Sequence, residues 1–353
     1  MNGVYIMKKT LIVLIMVLLA AMLIVSCNNN ANSPVMHKVT FDSANGSDAV
    51  VKEVKDGDTV SEPAAPTKTG YTFAGWYEGE TKFEFSTKIT KDYSLKAKWE
   101  IQTFTVSFDV NGGTGSYNNQ TINYGGKIDI SKVSDPTRTG YAFLGWYDGE
   151  NKVEIASLNV TKNFELKAKW LLLPVVGDTV EYGKYPENYA VSTLQKEPIT
   201  WKVLNVDAAN LRMLVISENV LEKQIWNSTV ISSYEQASVR TYLNDDIYNN
   251  YSLSSYTNIL NVDFDDDTIT IGSGSDHLFL LSESEVSTCF GTNSKVAYYN
   301  GAAASWWLRT CTFNSMIWSY QTQIINERGI ISEHNPTDSA LGLRPAMWVS
   351  LTN

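Results

Sequence analysis

A block of seventeen residues occurs twice in this chain: Pro66-Thr-Lys-Thr-Gly-Tyr-Thr-Phe-Ala-Gly-Trp-Tyr-Glu-Gly-Glu-Thr-Lys82 returns as Pro136-Thr-Arg-Thr-Gly-Tyr-Ala-Phe-Leu-Gly-Trp-Tyr-Asp-Gly-Glu-Asn-Lys152, with 12 of the 17 positions identical. Each copy is followed by the same closing segment, Leu95-Lys-Ala-Lys-Trp99 and Leu166-Lys-Ala-Lys-Trp170, and preceded by a related opening one, Val39-Thr-Phe-Asp42 and Val106-Ser-Phe-Asp109. A period of about 70 residues is longer than solenoid repeats run, so each copy reads as a small domain on a string rather than a stacked turn. Such strings extend and display other domains.

The first residues indicate where the string is tied. Lys8-Lys9 precede fifteen apolar residues, Leu11 to Val25, which is the layout of an export signal. The run is short of the about 20 residues a membrane span needs. It ends in Ile24-Val25-Ser26-Cys27, which resembles a bacterial lipobox. That resemblance implies a diacylglycerol on the Cys27 thiol, with Met7 as the start that gives a compact charged segment. The polar stretch Asn28-Asn-Asn-Ala-Asn-Ser-Pro34 then reads as a tether. Residues 1–26 are read as a lipoprotein signal and 27–36 as the tether, and the expected location is the bacterial cell envelope, lipid-anchored and surface-exposed.

A formal charge of −10 argues against a nucleic-acid partner, because displacing counterions from phosphate takes a basic surface. With Cys27 assigned to lipid, Cys289 and Cys311 remain. Either they pair, closing a loop of about 22 residues worth roughly 3 kcal/mol, or they are two separate buried thiols. Neither has a second ligand at zinc spacing, so no metal is expected there.

Within each repeat the pattern is strand-rich. Val39, Phe41, Val50, Val51 and Val54 stand among polar neighbours, with turns at Asp56-Gly57 and Gly125-Gly126. Period-two alternation puts Tyr71, Phe73 and Gly75 on one face of a strand and Trp76 on the other. Gly-Tyr-x-Phe-x-Gly-Trp-Tyr, followed by Leu-x-Ala-x-Trp and preceded by Val-x-Phe-Asp, resembles the Listeria–Bacteroides repeat of internalin-type surface proteins, over roughly 37–100 and 103–171. The resemblance implies a small β-grasp-like, ubiquitin-like fold serving as stalk or adhesion module, with no catalytic residues.

After a linker at Leu171–Gly177 the chain changes character, and 177–353 reads as an α+β domain. Val180–Pro186, Ile199–Leu204 and Leu211–Ser217 read as strands, the last two joined by a turn at Ala208–Asn210. Ser238–Asn244 reads as a helix, and Leu278–Val286 as a buried strand running into a helix capped by Ser282 and Glu285. The order Ile199-Thr-Trp-Lys-Val-Leu204, Val239-Arg-Thr-Tyr-Leu-Asn244, Leu-Leu-Ser-x-x-Glu-Val, Trp306-Trp-Leu-Arg309 and Gly342-Leu-Arg-Pro-Ala-Met-Trp348 resembles the domain of unknown function 6273, except that Thr310-Cys311 stands where that family has Ser-Pro. A weaker likeness to C-type-lectin-like and formylglycine-enzyme folds rests on the late Trp-x-Arg block and the terminal Gly-x-Arg strand. The whole is thus expected to be multidomain and β-rich.

Chemistry is sparse in this sequence. His37, His277 and His334 have no motif around them, and no nucleophile elbow, phosphate loop or His-Glu-x-x-His occurs, so no catalytic residue and no cofactor is expected. An exported enzyme of the formylglycine-enzyme-like fold, using Cys289 and Cys311, is the alternative. Asp263, Asp265 and Asp267 alternate as in a calcium loop, but Thr268 and Gly274 stand where that loop needs Gly and Glu, so a solvated acidic loop is the better reading. Arg309 and Arg344 lie in apolar strands and are expected to form internal ion pairs or cap carbonyls; a candidate ligand surface of Trp306, Trp307, Arg309 and Arg344 is the competing assignment. The function expected is display of a C-terminal binding domain to a host or envelope protein or a glycan. Glycan binding would need an exposed aromatic platform with polar groups beside it, and protein binding a larger apolar patch with a polar rim.

Overall fold

The computed structural model describes residues 33–186, 198–265, 268–272, 274–337 and 340–352. The first repeat is one sheet of β1 (Met36–Asp42), β2 (Val50–Lys55), β3 (Tyr71–Glu78), β4 (Thr81–Lys82) and β5 (Tyr93–Ile101), in the order β2-β1-β5-β3-β4. The central pair β1 and β5 is parallel and the other pairs are antiparallel. The second repeat has β6 (Thr103–Asp109), β7 (Gln120–Asn123), β8 (Tyr141–Asp148), β9 (Asn151–Val153) and β10 (Phe164–Leu172) in the corresponding order β7-β6-β10-β8-β9. Asp56-Gly57 and Gly125-Gly126 turn as expected, with Gly57 and Gly125 at φ +81° and +76°. The segment expected as a linker starts later than its sequence indicates, because Leu171 and Leu172 pair with Ala142 and Tyr141 as the end of β10.

The faces of the aromatic strand differ from simple alternation. Phe73 lies opposite Trp99 and Gly75 opposite Lys98, so Ala74 is an extra residue, a β-bulge with Gly75 at φ +124°. The bulge resets the alternation and turns Trp76 onto the same face as Phe73. Trp76 is thereby buried, with ring centroids 4.9 Å from Phe41 and 5.5 Å from Phe73. The second copy repeats the device. Leu144 is the extra residue, Gly145 is at φ +121°, and Trp146 sits 4.9 Å from Phe108 and 5.5 Å from Phe143.

Beyond the repeats, β11 (Thr179–Lys184), β12 (Pro198–Asp207) and β13 (Arg212–Ser217) precede β14 (Glu222–Gln224), β15 (Val262–Asp265), β16 (Thr268–Ile271), β17 (Ala297–Tyr299), β18 (Ala302–Ala304), β19 (Trp306–Asn314), β20 (Ser319–Ile325), β21 (Ile331–His334), β22 (Leu341–Leu343) and β23 (Ala346–Ser350). One sheet runs β11-β12-β13-β23 and the other β14-β22-β19-β20-β21, with two separate hairpins, β15–β16 and β17–β18. The last strand thus lies against β13, near the domain's beginning. Among the described residues of this domain, helical structure is confined to a few turns: α1 (Ser238–Thr241), a π-helical turn (Tyr242–Ile247), α2 (Tyr248–Asn250) and α3 (Glu283–Phe290), with short 3₁₀ turns. The expected capping box on α3 is present, Ser282 and Glu285 each satisfying the other's backbone N–H. The preceding Leu278–Leu281 is fully buried but joins a sheet only through the single bridge Phe279–Ala346, so it is an extended core segment rather than a strand.

Replacing Gly145 with Ala puts an L side chain at φ +121° and is expected to cost on the order of 1–3 kcal/mol. Urea unfolding followed by tryptophan fluorescence measures this, and an unchanged midpoint would mean that the bulge tolerates a side chain.

Candidate functional site

The ligand surface read from the sequence is core. Trp306 and Trp307 are fully buried, their indole N–H groups donating to the carbonyls of Lys295 at 3.1 Å and Gln224 at 2.6 Å. Arg309 and Arg344 are buried too, at 2% and 3% exposure. The reason is local: Trp307 pairs with Ile324 but Cys311 with Thr322, so β19 carries two extra residues, and the backbone N–H of Arg309 leaves the β20 ladder for the carbonyl of Leu281. That irregularity wraps four consecutive side chains in protein.

The internal roles expected for the two arginines hold. Arg309 Nη1 donates to Glu285 Oε2 at 2.5 Å and to the Leu280 carbonyl at 2.8 Å, tying β19 to α3 and the segment before it. Arg344 Nε donates to the Ser217 carbonyl at 2.8 Å, and its guanidinium lies 5.1 Å from the Trp306 ring centroid and 5.4 Å from that of Phe290. Burial pulls it down to about 10, with Glu218 opposing, so it remains a cation at neutral pH held largely by ring faces.

The pairing of Cys289 and Cys311 is corrected: both are thiols. Cys289 belongs to α3, whereas Cys311 Sγ lies 3.4 Å from the Ile231 carbonyl and 3.9 Å from Thr322 Oγ1. Burial, then Glu285, pushes the Cys289 thiol up, which makes it a weaker nucleophile at neutral pH. Asp263 and Phe264 belong to the β15–β16 hairpin, while Asp266 and Asp267 lie outside the described residues. Among the described residues no three metal-ligating side chains converge. Cys27 and the apolar run before it also lie outside them, and no described helix is long and apolar enough to cross a membrane.

Two other features are candidates for function. The first is the turn joining β19 and β20. Phe313 and Tyr320 face each other across the hairpin at 5.2 Å between centroids, and beyond them Met316, Ile317 and Trp318 are exposed, Met316 to 88% and Trp318 to 83%. Trp318 has φ +48°, a conformation that bulky residues seldom adopt. Polar groups border the turn: Asn314 Nδ2 donates to Glu333 Oε2 at 2.8 Å. The sequence signal for this turn is Met-Ile-Trp at a place where turns ordinarily carry Gly, Asn or Asp.

The second is a cavity of about 520 Å³ lined by Lys184, Tyr185 and Pro186 from the end of β11, Glu222 from β14, and Tyr242, Asp246, Asn250, Tyr251 and Ser252. Tyr242, Asp246 and Asn250 follow at intervals of four, which places them along one face of the helical segment. Glu222 accepts hydrogen bonds from two phenols, Tyr242 on Oε2 and Tyr251 on Oε1, the latter at 2.5 Å. Burial foremost, and then Glu222, pushes the Tyr242 hydroxyl well up, so it stays a donor. At Gly183 a Cβ would stand 2.5 Å from the Tyr251 carbonyl, and the lack of one lets β11 close on this wall.

Residues 37–98 and 104–169 match the Listeria-Bacteroides repeat domain, and residues 210–351 match the domain of unknown function DUF6273. The chain carries two of the first and one of the second. It is 36% identical over 143 residues to a protein of Evansella cellulosilytica named as a membrane protein, and 38% identical over 96 residues to internalin H of Listeria monocytogenes. These matches take in 38% and 26% of the chain but only 21% and 17% of the relatives' own length. This is therefore a β-rich repeat protein whose likeness to those larger proteins is partial. The exposed turn and the Arg309–Glu285 pair lie within the stretch that matches DUF6273, as does the cavity except for Lys184, Tyr185 and Pro186, which precede residue 210.

Two measurements test this account of the DUF6273 domain. Glu285→Ala removes both a cap and the carboxylate beside a buried cation, and is expected to cost about 3 kcal/mol by chemical denaturation; a loss no greater than that of an exposed Glu would contradict the pairing. His277, stacked on Tyr248 at 4.1 Å, is held below its ordinary 6.5, by burial first and with Asp276 opposing. The folded state thus resists a proton that the unfolded state accepts, so stability falls as pH drops below 6.5 toward the lowered folded value. His277→Gln is expected to flatten that part of the melting-temperature profile.

Proposed function

We propose that this is an envelope protein anchored by lipid on Cys27, in which the two repeats serve as stalk and the DUF6273 domain binds a host or envelope protein. In this reading the repeats are β-grasp-like sheets whose second and third strands are joined by an extended loop, and the C-terminal domain is a lectin-like scaffold with its first and last strands in one sheet. The lipobox resemblance and the polar tether support the anchor. The partial likeness to internalin H and to membrane-named proteins supports the envelope location.

The observation that carries the binding role is the β19–β20 turn. Met316, Ile317 and Trp318 are presented to solvent on a hairpin braced by Phe313 and Tyr320, an arrangement that costs solvation and, at Trp318, backbone strain. Aromatic and methionine side chains of this kind form the centre of protein interfaces, with polar groups such as Asn314 and Glu333 as rim. The binding role is non-catalytic: the two cysteines weighed for chemistry have separate surroundings, and burial blunts the reactivity of Cys289.

The test is surface plasmon resonance of the full chain against purified extracellular-matrix and envelope proteins, with Trp318→Ser as the variant. Saturable binding weakened about 30-fold, with melting temperature unchanged, is expected for a hot-spot residue worth about 2 kcal/mol. Binding indifferent to Trp318, or no binding across the panel, would overturn the reading.

A further inference from the structure

The cavity beside Glu222 has a composition that the exposed turn does not share, and it points to a different ligand. Three chain segments converge on it: the end of β11, the strand β14, and one face of the helical turns from Tyr242 to Ser252. Its size falls in the range of small-molecule sites. Glu222 is fixed in place by two phenol donors, one on each carboxylate oxygen, and each oxygen keeps further acceptor capacity. Tyr251, the deeper of the two phenols, is 1% exposed. The acceptor is thus preorganised before any ligand arrives.

Around it stand an exposed carboxylate on Asp246, an amide on Asn250, a hydroxyl on Ser252 and an ammonium on Lys184. Two carboxylates and one ammonium leave little net charge, which disfavours a strongly ionic ligand. Donors and acceptors are mixed, and Tyr185, half-buried with its ring 5.7 Å from that of Tyr251, adds an apolar face. A ligand matched to this set carries several hydroxyls that both donate and accept, together with C–H surface for the ring. Those are the properties of a neutral sugar.

We propose that this cavity binds one neutral sugar ring, with Glu222, Asp246 and Asn250 taking its hydroxyls and Tyr185 its apolar face. The site is separate from the protein-binding turn and goes beyond that reading; the two are tested by different residues. The helical face contributes through the π-turn, a local widening that recurs at binding sites and here carries both Tyr242 and Asp246.

The experiment is titration of the full chain with glucose, galactose, mannose and N-acetylglucosamine, followed by calorimetry and by tyrosine-resonance shifts in NMR. At least one is expected to bind saturably. Asn250→Ala and Asp246→Ala, both at exposed positions and so with little effect on folding, are each expected to weaken binding about tenfold, whereas Trp318→Ser leaves it unchanged. Glu222→Gln, which keeps the shape, is expected to weaken it further. No saccharide binding to the folded chain, binding insensitive to Asn250 and Asp246, or preference for a quaternary ammonium ion such as choline over every sugar would overturn the proposal.

Discussion

Each repeat depends on one buried tryptophan, and that tryptophan depends on a one-residue bulge. A module of about 65 residues buries a smaller share of its surface than a larger domain does, so its core leans on a few large rings. Trp76 supplies it by standing edge-on to Phe41 and Phe73, and Trp146 does the same with Phe108 and Phe143. Without the extra residue at Ala74 or Leu144 the indole would point away from the side that β1 or β6 fills with its phenylalanine. The glycine before each tryptophan is what makes that insertion cheap, since its φ near +120° is open to glycine and strained for anything else.

The DUF6273 domain solves a different problem, that of holding irregular segments against two sheets. Its tools are charged groups used inside the fold. Arg309 ties β19 to a helix cap and to the extended segment before it, while Arg344 reaches the Ser217 carbonyl at the end of β13 from between two rings. The Leu281 carbonyl accepts the Arg309 N–H that the β20 ladder gives up, which keeps that donor satisfied where the strand departs from regular pairing.

Much of the fold was legible because it rests on local patterns. The duplicated block, the turns at Gly57 and Gly125, the β12–β13 hairpin and the Ser282–Glu285 box all follow from neighbours a few residues apart. The facing of Trp76 was not, since a bulge breaks the period on which the reading relies. Trp306, Trp307, Arg309 and Arg344 were read both as core and as ligand surface, and burial decides for core. The cavity joins residues as far apart as Lys184 and Ser252, and only the i, i+4 sequence Tyr242, Asp246, Asn250 hints at it. Met316, Ile317 and Trp318 carry none of the usual turn chemistry, so nothing local in the sequence marks the β19–β20 turn or tells that these side chains face solvent.

The parallel pairing of β1 with β5 bears on what the first repeat does when it is pulled. Because the first and last strands are neighbours running the same way, the chain comes in at one end of the sheet and leaves from the other. Tension on the two ends drags β1 and β5 past each other along their own axes. The bonds across Val39 to Asp42 and Tyr93 to Lys96 are then loaded together in shear and cannot open one at a time, as they would if the strands were peeled apart. A module so wired resists tension on its two ends, because the bonds between these strands must give way together.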